Sequence, residues 1–320
     1  QAQVSNKALY IFSRSAGEDM DNDTDEGSYN LLQTEINNLK NITSAFEQVV
    51  VALNVTNVID MKWVNDPQFQ GRIKGVVYLW CGGMEGGNSA ADILCGKVTP
   101  SGKLPDTIPF DLSDHPTFKN FGMCDKVLYE EDIYVGYRYF ETFCPEKVQY
   151  EFGYGLSYTT FDVKTISAEH QENGKILMTV DVKNTGDKFN GKEVVQIYFS
   201  APQGRLGKPV KQLISFEKTK LLNPGENQVL SFEFDEKDMA SYDDSNITGN
   251  KSCYVLEEGD YRIYVGTSVK KVELALTFSI PQLKVVQRLS EVLCPNDDEL
   301  KILTTGNQKE DGTYETKYIP

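Results

Sequence analysis

The chain has 320 residues, with hydrophobic residues at 40%, aromatics at 11% and charged residues at 25%. That length allows two domains of ordinary size, and the balance describes a folded globular chain, not a disordered one. The formal net charge of −15 argues against a nucleic-acid partner, because a phosphate binder needs a basic surface to displace counterions.

No apolar stretch approaches the roughly 20 residues needed to span a bilayer. No segment reads as a signal peptide, and Gln1 opens almost directly into a strand, which suggests a processed or truncated product. The compartment stays open between cytoplasmic and secreted.

Ala8-Leu9-Tyr10-Ile11-Phe12 is an uninterrupted apolar run, which predicts a strand buried on both faces, as in a parallel sheet. It ends in Ser13-Arg14-Ser15-Ala16-Gly17-Glu18, and functional groups in open α/β sheets gather just beyond strand carboxyl ends. Glu18 is also the first of six acids in nine residues, with Asp19, Asp21, Asp23, Asp25 and Glu26. A solvated acidic loop is therefore the plainer reading of any one of them.

From Tyr29 to Phe46, apolar residues at Leu31, Leu32, Ile36, Leu39 and Ile42 follow a helical period. Val49 to Val55 reads as a second strand, and Gly75 to Trp80 as a third. The third runs into the turn Cys81 to Gly87, after which Asn88-Ser89 can cap a helix from Ala90 to Leu94. This order predicts a parallel, helix-covered sheet, incomplete at its N-terminus because only three strands are present.

From Phe161 the pattern changes to short alternating strands. Ile176–Val182, Val194–Phe199, Leu213–Phe216, Val229–Phe234, Tyr261–Val265 and Val272–Phe278 are separated by turns such as Asn223-Pro224-Gly225 and Glu258-Gly259-Asp260. They predict an all-β sandwich of immunoglobulin type, without the Cys…Trp…Cys spacing of antibody domains. The expected organisation is an α/β sheet domain with a connecting segment over 1–160, the sandwich over 161–280, and a polar tail or linker over 281–320.

The six cysteines (Cys81, Cys95, Cys124, Cys144, Cys253, Cys294) show no CxxC pair and no metal-ligand spacing with the two histidines, so buried, reduced thiols are expected. His115 and His170 fall in expected loops with no evident partner and are assigned no role. Five Asn-X-Ser/Thr sequons begin at Asn22, Asn41, Asn54, Asn246 and Asn250; they matter only in a eukaryotic secretory host.

Four groups of residues recur in a known order: Ser13 to Glu18; Gly82-Gly83-Met84-Glu85-Gly86-Gly87 with its short helix and Pro100-Ser101-Gly102-Lys103-Leu104-Pro105; Tyr134 to Phe140 with Phe152 to Tyr158; and the sandwich pieces Val182 to Gly186, Gly191 to Tyr198, Asn223 to Glu226 and Gly259 to Tyr261. Together, over about residues 5 to 280, they resemble glycoside hydrolase family 3, the family of β-glucosidases and β-xylosidases. The resemblance implies an α/β sandwich followed by a fibronectin type III-like domain. It gives Glu18 the role of general acid/base and places the nucleophile on a (β/α)8 barrel outside this chain, before or after it. The family's Gly-Glu-Gly is Gly17-Glu18-Asp19 here, so the loop after the acid can differ in shape.

Retaining hydrolysis uses two carboxyls about 5–5.5 Å apart on opposite sides of the anomeric carbon. The neighbouring acids would favour a protonated Glu18 by like-charge repulsion. Glu85 is the second-choice acid, with shaping of the turn as its plainer role. The glycine-rich turn lacks the Gly-Lys-Ser/Thr of a phosphate loop, and the Asp19 to Asp25 spacing matches a calcium loop only in part. No metal and no cofactor are assigned. Trp63 and Trp80 could stack on sugar rings, though Trp80 ends a strand and suits a core. The aromatics of Tyr134 to Phe140 are expected as a strand packed between the two domains.

The expected function is part of a retaining β-glycosidase releasing terminal nonreducing β-D-glucosyl residues from an oligosaccharide or aryl β-glycoside. A barrel domain or chain completes its site, and homo-oligomerisation stays open. A β-xylosidase of the same family and a non-catalytic binding or scaffolding module are the alternatives.

Overall fold

The computed structural model describes residues 4–14, 21–122, 126–292 and 300–319. The chain forms two compact units. One takes residues up to Val98 with returns at Ile108–His115 and Lys147–Tyr150, and the other takes the remainder.

The first unit is built on a three-stranded parallel sheet. It comprises β1 (Lys7–Ser13), helix α1 (Gln33–Ala45), β2 (Gln48–Asn54), β3 (Ile73–Tyr78), helix α2 (Gly86–Leu94), and the short antiparallel pair β4 (Ile108–Pro109) and β5 (Val148–Tyr150). Strand β2 is central, with Phe12 opposite Leu53 and Leu53 opposite Tyr78. Val49, Val51, Ala52 and Leu53 are buried, so the β-branched run of β2 does what its sequence predicts.

Strand β1 differs from expectation. Phe12 is buried, but Leu9 and Ile11 are 50% and 54% exposed. As an edge strand, β1 covers one face only: Phe12 packs edge-on against Trp63 at 5.4 Å, while Leu9 and Ile11 point the other way.

Helix boundaries move as well. Helix α1 starts at Gln33, later than the apolar period suggests, because the Glu35 carboxylate accepts the Leu32 amide at 2.8 Å and fixes the first turn there. Helix α2 starts at Gly86, with Glu85 at its N-cap and Asn88 donating to the Glu85 carboxylate, so Asn88 and Ser89 lie inside the helix they were expected to precede.

In the second unit, helix α3 (Tyr137–Phe143) replaces the strand expected over Tyr134 to Phe140. Gly136, at φ +57°, breaks the extended run, and Phe140 and Phe143 then share a buried helical face. The strands that follow are β6 (Phe161–His170), β7 (Lys175–Asn184), β8 (Val194–Ser200), β9 (Gln212–Lys218), β10 (Asn227–Asp235), β11 (Ser241–Asp243), β12 (Cys253–Leu256), β13 (Gly259–Gly266), β14 (Val272–Ile280), β15 (Lys284–Arg288), β16 (Ile302–Gln308) and β17 (Tyr314–Ile319).

Two antiparallel sheets, β10-β7-β6 and β14-β13-β8-β9, form the sandwich. Ile176, Met178, Val180 and Val182 of β7 alternate into its core and meet Val195, Ile197, Phe199, Leu230, Phe232, Ile263 and Val265. Fully burying such side chains stabilises by about 1.5–3 kcal/mol each. Strand β8 is buried on both faces because Tyr137 of α3 lies against Tyr198 at 6.1 Å and accepts the Leu213 amide at 2.9 Å. An α/β region with a parallel sheet followed by an antiparallel sandwich is therefore the observed architecture.

Two sequence motifs lock together in this unit. The Leu104 amide donates to the Tyr154 carbonyl and the Gly153 amide to the Leu104 carbonyl, both at 2.8 Å. A Cβ on Gly155 would stand 2.2 Å from the Gly102 carbonyl, which is why glycine occupies that position.

Residues 281–320, expected as a polar tail or linker, contain β15, which pairs with β12, and the hairpin β16–β17. Leu303 is buried, and its amide donates to the Glu130 carbonyl at 2.7 Å. Of the cysteines, Cys144 and Cys253 are buried as expected, but Cys81 and Cys95 are exposed; Cys124 and Cys294 lie outside the described residues. Among the described residues, no helix is long and apolar enough to cross a membrane.

Candidate functional site

The site expected at the carboxyl end of β1 is described up to Arg14 and again from Asp21; Glu18 and Asp19 lie outside the described residues. Both flanks of that segment are anchored. On the entry side, the Arg14 amide donates to the Asn54 carbonyl at 3.3 Å, which extends the β1–β2 pairing by one step. Its guanidinium turns to Glu35, with Nη2 to Oε2 at 2.6 Å and Nη1 to Oε1, and both side chains are largely buried. A planar fork on a carboxylate fixes orientation as well as distance. Glu35 also caps α1, so one carboxylate couples the strand exit to the helix start.

On the exit side, the Asn22 amide donates to the Val58 carbonyl at 2.8 Å, and Asn57 Nδ2 lies 3.4 Å from Asn22 Oδ1. Tyr78, at the carboxyl end of β3, donates its hydroxyl to the Asn57 carbonyl. The end of β2 and the loop after it, together with the last residue of β3, are thus tied to the two flanks.

Asp21, Asp23, Asp25 and Glu26 are exposed. Asp23 accepts the Asp25 amide at 2.9 Å, and Glu26 accepts the Gln33 amide at 3.3 Å. These carboxylates shape their own loop. Among the described residues, no three His, Cys, Asp or Glu side chains are arranged to hold a metal ion.

Glu85 is exposed at the start of α2, where it accepts from Asn88. Trp63 is core: it is buried and donates its indole N–H to the Asp60 carbonyl at 2.8 Å. Trp80 is half-buried, lies 4.3 Å from Tyr78, and has φ +55°, an unusual conformation for a bulky residue.

Near the core of this unit, burial pushes the Asp60 carboxyl up, against the hydrogen bond it accepts from the Lys62 amide. Burial holds His115 below its ordinary range, against the nearby Asp114 carboxylate. His170 has a partner after all: in the second unit its Nε2 lies 2.8 Å from Glu236 Oε2, and its ring stacks on Phe278 at 4.1 Å.

Sequence reasoning missed Glu35, Asn22 and Asn57, which order the flanks of the segment. Only Glu35 had a local signal, as an acid three residues into a helix where it can cap the preceding amide.

A parallel sheet with its strand-end loops is followed in the chain by an antiparallel sandwich, and the chain belongs to glycoside hydrolase family 3. The profile for the glycosyl hydrolase family 3 C-terminal domain matches residues 1–158, and that for the fibronectin type III-like domain matches residues 193–269. The chain is 45% identical over 295 residues to a β-glucosidase of Ruminococcus albus, covering 92% of this chain and 30% of the relative. It is 43% identical to β-glucosidase A of Butyrivibrio fibrisolvens, covering 91% and 36%. The crystal structure of a β-glucosidase from Paenibacillus barengoltzii superimposes with a TM-score of 0.96 at 51% identity, covering 99% of this chain and 35% of that one. The chain thus spans about a third of the length of these relatives.

Proposed function

We propose that the chain is part of a retaining β-glycosidase acting on terminal nonreducing β-D-glucosyl residues, with Glu18 as its general acid/base. A barrel domain or chain outside these residues supplies the nucleophile and most contacts to the sugar. A change near residue 160 from the family 3 domain to the sandwich belongs to the same reading, whereas residues 281–320 are not a separate tail, since β15 pairs with β12. Glu18 protonates the leaving oxygen as the glycosyl-enzyme forms, then takes a proton from water as it breaks down.

The observation that carries this reading is the fixed strand exit: Arg14, four residues before Glu18, is held in a buried bidentate pair at the carboxyl end of a parallel strand. The names of the relatives support the β-glucoside substrate class. Glu85 stays in the supporting role of shaping the turn before α2.

The test is Glu18→Ala in the barrel-containing enzyme. Turnover should fall by roughly 10²–10⁴-fold, with partial rescue by azide on substrates with good leaving groups. Unchanged turnover overturns the assignment. A panel of aryl glycosides, β-glucoside against β-xyloside, tests the sugar.

A further inference from the structure

In the second unit, residues 116–122 and 126–135 run as turns and coil, without strand or helix. Phe118, Phe121, Val127, Tyr129, Ile133 and Val135 are all exposed there, Phe121 at 60% and Tyr129 at 74%. Connecting segments normally turn polar groups to water, so this density of apolar side chains on one coil marks a surface that another surface covers. Elsewhere in the same unit, exposed apolar side chains such as Phe216, Val229 and Leu274 stand on separate strands, which is ordinary.

The coil is tied down. Asn120 donates its side-chain amide to the Leu128 carbonyl at 2.9 Å and to the Glu130 carboxylate at 3.3 Å. The turn bearing Phe118 and Phe121 is thereby held beside the stretch bearing Tyr129, and the Phe121 amide closes that turn on the Thr117 carbonyl at 2.9 Å. Tyr134 is 1% exposed, with its ring 4.9 Å from that of Phe143. This anchor points inward, while its neighbours Ile133 and Val135 stay outside. The Leu303 amide bonds the Glu130 carbonyl at 2.7 Å, and Leu303 pairs with the exposed Tyr318, so the hairpin β16–β17 braces the same coil.

We propose that this coil is the docking surface for the barrel-bearing polypeptide of the proposed enzyme, with Phe118, Phe121 and Tyr129 as its main contacts. The identity of the occupant rests on that functional reading. This chain spans about a third of the length of its relatives, so most of such a polypeptide lies outside it. Retaining hydrolysis sets its two carboxyls about 5–5.5 Å apart. A nucleophile carried on another domain keeps such a distance only if that domain is rigidly docked. Permanent interfaces are apolar at their centres, enriched in aromatic residues and depleted of charged ones. A coil already ordered loses little conformational entropy when it is covered. A second copy of this chain would supply no nucleophile, so the chemistry calls for the barrel and not for a dimer.

The experiment is hydroxyl-radical footprinting of the barrel-containing enzyme, read by mass spectrometry at a concentration where sedimentation shows a single copy. Phe216 and Leu274 are internal controls, 66% and 56% exposed against 60% for Phe121. Corrected for intrinsic reactivity, Phe121 and Tyr129 should be oxidised several-fold more slowly than either control. In the same enzyme, Tyr129→p-benzoylphenylalanine should photo-cross-link to a barrel peptide of its own polypeptide.

Oxidation of Phe121 and Tyr129 as fast as that of the controls overturns the proposal. So does a cross-link confined to the 320 residues of this chain. Protection found only where the enzyme self-associates, or a cross-link between two copies, also overturns it and makes the coil a contact between copies. Footprint and cross-link read position, not turnover. Lost turnover in Glu18→Ala with Phe121 left open therefore strikes the docking surface alone, and protection of Phe121 with unchanged turnover in Glu18→Ala strikes the acid/base assignment alone.

Discussion

Arg14 and Glu35 meet fork to fork, Nη2 2.6 Å from Oε2, and join the carboxyl end of β1 to the first turn of α1. Removing one partner strands a buried charge, whereas replacing both removes the problem. Arg14→Met should destabilise by about 3–5 kcal/mol, and Arg14→Met with Glu35→Leu should cost much less than the sum of the single changes. Urea denaturation of the four proteins measures the coupling. Additive losses would show that the pair does not organise this corner.

Asn184 is buried with every polar atom in use. Its Nδ2 donates to the Phe189 and Leu222 carbonyls at 2.9 and 3.0 Å, and its Oδ1 accepts from the Thr159 hydroxyl at 2.6 Å and the Gly186 amide at 3.1 Å. Asn184→Asp keeps the shape but sets a carboxylate against two carbonyls. A loss of about 3 kcal/mol is expected by chemical denaturation, with Asn184→Ser no better.

Burial by itself would raise the Asp243 carboxyl, but hydrogen bonds from the Thr248 hydroxyl and amide and the Ile247 amide outweigh it and hold the group below its ordinary range. The unfolded group titrates near about 3.9, so on acidification the unfolded chain takes up this proton first. The stabilisation is therefore complete above about pH 5 and is lost as pH falls through the depressed folded value. Melting temperatures between about pH 2 and pH 6 should fall more steeply for the native chain than for Asp243→Asn, which starts lower.

Gly207 lies under the hairpin β16–β17. A Cβ there would stand 2.1 Å from Thr304 Oγ1 and 2.8 Å from Thr305 Oγ1. Gly207→Ala should destabilise by about 1–3 kcal/mol through overpacking. Hydrogen exchange should speed up across residues 302–319. Unchanged exchange would mean that the hairpin does not depend on that contact.

Much of the fold was legible because its periods are local. The alternation of β7 and the β-branched run of β2 each state which side they bury. Strand β1 shows the limit: an apolar run records what a strand can bury, not what is present to cover it, and Leu9 and Ile11 stay exposed. The aromatics of Tyr134 to Phe140 have strand propensity, yet Gly136 and the spacing of Phe140 and Phe143 made a helix. The hairpin at residues 302–319 was hidden by its Thr, Lys and Glu content, although Asp311-Gly312 marks its turn, with Gly312 at φ +86°. At the candidate site, Glu18 is proposed from its position after a strand and lies outside the described residues. The partners of Arg14 and Asn22 were not legible, since Arg14 meets an acid 21 residues away and Asn22 a carbonyl 36 residues away.

The turn that Asp243 ties together also bears on the acceptor sequence Asn246-Ile247-Thr248. Once β11 and β12 have paired, the Thr248 hydroxyl is committed to the interior, while Asn246 stays on the surface. In a host that attaches glycans to asparagine, this sequence is readable only before the turn closes. Sugar occupancy at Asn246, measured by mass spectrometry of glycopeptides, would therefore serve as a clock for how early that part of the nascent chain folds.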